Sequence, residues 1–207
     1  MADSLSILFG SQARVKLLRF FLFNPHHEFA FDDIARRARL VRRTARTELN
    51  ALERAGVIKK KQILVEQEGK KRKSRVQGFV LNKNFPELRS LQTFLFETAP
   101  INGKTLLAHL KKSGKLDVVV ATGVFMREFD SRLDVLIAMK KPVETKVEAA
   151  VRSLEAELGM EIRFTVMDTE DLMYRLGMYD KLTRDVFDYP HEILLDKAGV
   201  ANELHRV

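Results

Sequence analysis

The stretch Arg42-Arg43-Thr44-Ala45-Arg46-Thr47-Glu48-Leu49-Asn50-Ala51-Leu52-Glu53-Arg54-Ala55-Gly56 constrains the chain most. At helical spacing, Val41, Ala45, Leu49 and Leu52 share one face. The opposite face carries Arg43, Thr47, Asn50 and Arg54, with Arg42 and Arg46 at its edge. Gly56 follows the last apolar turn, where a helix commonly stops. The spacing predicts a short helix anchored by small and aliphatic residues. Outward it presents arginine, threonine and asparagine, side chains that reach phosphates and base edges in a major groove. A solvated basic face is the plainer alternative, and the neighbouring segments decide between them.

Ser11 to Phe23 reads as a first helix, capped by Ser11 and ended by Asn24-Pro25. Gly10-Ser11-Gln12-Ala13-Arg14 mimics the opening of a nucleotidyltransferase site, but no Asp-x-Asp follows it. After the short apolar piece Phe29-Ala30-Phe31, Asp32 or Asp33 is expected to cap a helix reaching about Ala38, with Ile34, Ala35 and Ala38 inward. A brief turn leads to the basic helix, giving a helix-turn-helix order whose second member lacks a side-chain cap. Val57 to Glu66 and Arg75 to Leu81 read as the strands of a hairpin. Its tip carries Lys70, Lys71, Arg72 and Lys73. Such lysines guard an exposed edge. Beside a basic helix they suit a wing that grips DNA backbone or minor groove.

This ensemble resembles the winged helix-turn-helix domains of transcription regulators of the MarR and ArsR sort, over roughly residues 5–82. Its clearest part is Leu49-x-x-Leu52-Glu53-x-Ala55-Gly56-Val57-Ile58. The resemblance implies a mainly α domain with a β-hairpin that binds double-stranded DNA. Arg42, Arg43, Arg46, Thr47 and Asn50 would read bases, and Lys70, Lys71, Arg72 and Lys73 would hold phosphate. Phe85 to Thr98 is a further helix, with Leu88, Leu91, Phe94 and Leu95 on one face. It either pairs two subunits or packs on its own domain. We place the first domain at residues 1–98, including the 85–98 helix.

Charge divides the chain at the same point. Residues 1–98 carry 20 Lys+Arg against 10 Asp+Glu, and residues 99–207 carry 16 against 18. The basic half suits a polyanion, and the near-neutral half a different task. With no cysteine, disulfides, thiolate metal sites and cysteine nucleophiles are excluded. No apolar run approaches a membrane span, and Met-Ala-Asp-Ser-Leu-Ser does not lead into a signal-peptide core. A cytoplasmic location is expected.

Residues 99–207 alternate. A helix is predicted over Thr105–Lys112 and strands over Asp117–Ala121, Leu133–Met139 and Glu161–Met167. Glu144–Leu158 reads as an amphipathic helix, and Thr169 or Asp168 caps another through Leu176. A last helix spans about Asp180–Phe187, and Ile193–Leu195 is a closing strand. The pattern is that of an α/β domain, so the fold class is mixed.

Thr122-Gly123, then Ser131-Arg132-Leu133-Asp134-Val135, a helix, and Glu161-Ile162-Arg163 follow an order that resembles the minimal nucleotidyltransferase domains of the DNA polymerase beta superfamily. Such enzymes carry Gly-Ser after the first strand, Ser-Asp-x-Asp on the second and a further Asp on the third. These carboxylates hold two divalent metals. Here Gly123, Ser131 and Asp134 are kept. Val124 replaces the serine, Arg132 the first aspartate and Arg163 the third. The resemblance implies the fold and argues against the activity, so no metal, no cofactor and no catalytic residue is expected. The two arginines near Gly123 either bind an anionic effector or neutralise Asp134 as an internal ion pair, and the ion pair is preferred. His26, His27, His109, His191 and His205 lack partners at metal spacing.

The sequence therefore reads as a DNA-binding transcription regulator with a pseudo-nucleotidyltransferase domain for dimerisation, partner binding or effector sensing. A homodimer is expected, since one small wing supplies little affinity alone. Two alternatives are a nucleotidyltransferase targeted to nucleic acid or a toxin, and an RNA-binding module.

Overall fold

The computed structural model describes residues 4–66 and 73–204. The chain is mixed α and β with two sheets. It divides into two compact units, Met1–Ala99 with Glu155–Met160, and Pro100–Leu154 with Glu161–Val207.

In the first unit, α1 (Ser4–Leu8) precedes α2 (Gln12–Phe23). The Ser11 hydroxyl accepts the Arg14 N–H at 3.2 Å, so Ser11 is a helix cap. β1 (Glu28–Ala30) passes directly into α3 (Phe31–Arg37). The expected Asp32 or Asp33 cap does not form. Ala30 holds the cap position without a side-chain bond. Both aspartates lie in the first turn, near the positive end of the helix dipole. α4 (Arg42–Arg54) follows, then the antiparallel hairpin of β2 (Ile58–Glu66) and β3 (Lys73–Leu81). β1 joins β3, giving the order β1-β3-β2. Leu17, Phe21, Ile34, Leu49 and Ile58 are buried in one core, with Leu95 of α5 (Leu88–Glu97).

α5 begins three residues later than expected. A residue before proline is pushed out of the helical region, and Phe85 precedes Pro86. Phe94 does not share the inner face. It is 39% exposed, and Leu88, Leu91 and Leu95 make the contact with the core.

In the second unit, α6 (Gly103–Leu110) is capped by Asn102, whose side chain accepts the Thr105 N–H. β4 (Val118–Ala121) and β5 (Val135–Ala138) are antiparallel and fully buried, which explains their unbroken apolar runs. α7 (Glu144–Leu158), whose last residues from Glu155 belong to the first unit, connects β5 to β6 (Phe164–Met167), which runs parallel to β5. α8 (Thr169–Gly177) and α9 (Lys181–Phe187) are capped by Asp168 and Asp180. β7 (Glu192–Asp196) pairs antiparallel with β4, and α10 (Val200–Leu204) follows. The sheet order is β6-β5-β4-β7. β6 starts at Phe164 rather than Glu161, because the Arg163 N–H is drawn to a side chain instead of a ladder.

Candidate nucleic-acid interface and a saturated carboxylate

α4 buries Ala45, Leu49 and Leu52 and exposes Arg42, Arg43, Arg46, Thr47, Asn50 and Arg54. Its start and stop have different causes. At the C-terminus, Gly56 has φ +79, the Gly56 N–H donates to Glu53 O, and the Val57 N–H to Leu52 O at 3.0 Å. This double closure needs the left-handed glycine and turns the chain into β2. At the N-terminus, Val41 is the cap residue, extended and without a side-chain bond. The expectation that Val41 lies on the inner face fails. It stands outside the helix, where helical spacing no longer governs its direction, and is 74% exposed.

The basic face is partly pre-arranged. Arg42 pairs with Asp32 at 2.5 Å. The guanidinium carbons of Arg42 and Arg46 lie 5.1 and 5.3 Å from the centre of the Phe31 ring. The Thr47 hydroxyl donates to the Arg43 carbonyl at 3.1 Å. Among the described residues, no carboxylate pairs with Arg43, Arg46 or Arg54. Glu48 is buried and accepts from Arg14 Nε at 2.8 Å, and Glu53, the other acid of this helix, pairs with Lys60. Phe31 had no signal in the sequence beyond its apolar character. On the hairpin, Lys60 and Lys61 pair with Glu53 and Glu28. Lys70, Lys71 and Arg72 lie outside the described residues. Lys73 is placed only by its backbone, opposite Glu66 in the register.

In the second unit, Gly123, Asp134 and Arg163 come together and Arg132 does not. Asp134 is 0% exposed. Its Oδ1 accepts from Val124 N at 2.9 Å and Arg163 Nη2 at 3.0 Å. Its Oδ2 accepts from Arg163 N at 2.8 Å and Arg163 Nε at 3.0 Å. These four donors fill the lone-pair sites of the carboxylate. The hydrogen bonds to Asp134, then its charge and that of Asp130, hold the Arg163 guanidinium above its ordinary range, against the opposing effect of burial. Gly123 has φ +51, and a Cβ there would fall 2.1 Å from Asp134 Oδ1. The turn therefore admits glycine alone.

Arg132 instead pairs with Asp185 at 3.4 Å, and the Ser131 hydroxyl donates to Leu133 O at 2.7 Å. A cavity of about 400 Å³ opens beside Thr122, lined by Glu128, Asp130, Asp185 and Arg132 among others. Three carboxylates against one paired guanidinium make it a poor place for an anion. Among the described residues, no group of three or more His, Asp and Glu could hold a metal ion, and no helix is long and apolar enough to cross a membrane. No protein-family profile, curated protein or solved structure matches this chain.

Proposed function

We propose that the protein is a cytoplasmic, homodimeric transcription regulator that binds double-stranded DNA through α4 and the β2–β3 hairpin. The observation that carries this reading is the face of α4. Arg42, Arg43, Arg46, Thr47, Asn50 and Arg54 are all exposed there, on a helix fixed from behind by Ala45, Leu49 and Leu52. The order α2, β1, α3, α4, β2, β3 with its β1-β3-β2 sheet supports a winged helix-turn-helix. Arg43, Arg46 and Asn50 are the base readers, with Arg42 and Thr47 beside them. Lys70, Lys71, Arg72 and Lys73 supply the phosphate contacts.

The second unit is a nucleotidyltransferase-like domain that transfers nothing. Strand, glycine turn, strand, helix and parallel strand follow in the order that such a domain needs. The carboxylate that would face a metal already accepts four N–H donors. Arg163 thus serves the domain as a neutralising partner, and the task of the domain is dimerisation, partner binding or effector sensing.

Filter binding at low salt with duplex DNA, and with a structured RNA as competitor, tests the reading. Duplex should be retained with steep salt dependence, since each phosphate contact releases counterion. Absence of duplex affinity, or preference for the RNA, would overturn it. Magnesium-dependent labelling by a radiolabelled nucleoside triphosphate should also be absent. Labelling that Asp134→Asn abolishes would restore the enzyme alternative.

A further inference from the structure

Val41 is an apolar residue at a position where folding gives no reason for one. As the cap residue of α4 it makes no side-chain bond to the first turn. Ser, Thr, Asp or Asn there would satisfy an orphan N–H. Its side chain gains little from burial, being 74% exposed. The backbone fixes this direction. Arg39 ends α3 in the left-handed region, at φ 51. The Arg39 N–H donates to Arg36 O at 3.2 Å, and the Leu40 N–H to Ala35 O at 2.9 Å. That closure lays Leu40 against the core. Val41 is next and extended, so its side chain turns to the opposite side, toward solvent.

The exposed isopropyl group therefore stands at the N-terminal end of α4, just before Arg42 and Arg43 in the chain. In a helix-turn-helix this end of the second helix meets the base edges. Arg42 and Arg46 are steadied there by Phe31, and Arg42 also by Asp32. The only apolar group on the major-groove edge of a base pair is the 5-methyl of thymine.

We infer that Val41 is a specificity-determining residue that recognises the methyl group of one thymine. The inference rests on the DNA-binding reading above. Closing an isopropyl group over a methyl removes apolar surface of both from water. A contact the size of one buried methylene corresponds to about a fourfold change in affinity.

The test uses the full chain. A duplex is selected from a randomised DNA library with the wild-type protein, then resynthesised with deoxyuridine replacing each thymidine in turn. The wild type should lose about fourfold in affinity at one position. Val41→Ser removes the isopropyl group and supplies the missing cap. It should melt at or above the wild-type temperature and bind the thymidine and deoxyuridine forms of that position equally. Val41→Thr keeps one methyl and should retain part of the discrimination. Comparing variants on the same two duplexes cancels the effect of uracil on the DNA itself. If the wild type distinguishes the two bases nowhere in the site, or Val41→Ser keeps the full discrimination, the assignment is wrong while the DNA-binding reading stands. If the library yields no enriched duplex, this inference falls together with sequence reading by α4.

Discussion

Replacing Asp134 by Asn preserves its size and removes its charge. The amide oxygen can still accept from two donors, but the amide nitrogen then faces two more N–H groups where an oxygen stood. One of these is a backbone N–H, either that of Val124 or that of Arg163. An unsatisfied buried donor costs about 1–3 kcal/mol. Removing one partner of a buried ion pair costs about 3–5 kcal/mol. The Arg163 side chain is 43% exposed and can recover water, which lowers that figure. We expect Asp134→Asn to destabilise by about 2–4 kcal/mol. Arg163→Met is the harsher change. It leaves a carboxylate with no exposure and only two backbone donors, a loss of about 3–5 kcal/mol. The double variant should lose less than the two together, with a coupling of about 1–3 kcal/mol. Urea unfolding of the full chain followed by circular dichroism measures all three. Single variants within about 0.5 kcal/mol of wild type, or strictly additive losses, would refute the view that Asp134 and Arg163 form one structural unit.

Three further outcomes are expected. Gly123→Ala should lower stability by more than the roughly 1–2 kcal/mol of left-handed strain, since its Cβ also meets Asp134 Oδ1 and Leu133 O; a melting temperature equal to wild type would contradict this. At Asp196, burial alone would raise the pKa, but N–H donors from Ala201, Val200 and Gly199 outweigh it and hold the carboxyl low. Its contribution is therefore present above the unfolded value of about 3.9 and lost as pH falls through the folded one; urea midpoints between neutral pH and pH 3 should fall less steeply for Asp196→Asn, and identical slopes would count against the assignment. Light scattering at micromolar concentration should give a dimer, and a monomer both alone and on DNA would remove the two-fold symmetry from the proposal.

What the sequence disclosed, and what it hid, follow from the range of each signal. The face of α4 was legible because thirteen residues sample the 3.6 period several times and Gly56 marks the stop. Val41 was misplaced by the same rule, since the rule holds only inside the helix. The aspartates of α3 looked like caps because nothing local reveals that β1 hands the chain over without a loop. Pro86 did carry the information that shortens α5. Helices α1 and α10 span five residues each, too few for any periodicity to register. In the second unit, Arg163 and Asp134 are 29 positions apart, and only the resemblance to a metal site suggested that they meet. The pairing of Arg132 with Asp185, on α9, had no such guide.

The central claim is that the outward face of α4 reads duplex DNA. Its most direct test is the affinity of the full chain for its library-selected duplex and for a scrambled duplex, for the wild type and for Arg43→Ala with Arg46→Ala. The wild type should prefer the selected sequence by about a thousandfold or more. Each arginine that pairs with a base edge contributes about 1–3 kcal/mol of discrimination, so the double variant should lose most of that preference while retaining salt-sensitive binding to both duplexes. A double variant that discriminates as the wild type does, or a wild type that retains no duplex, would contradict the account.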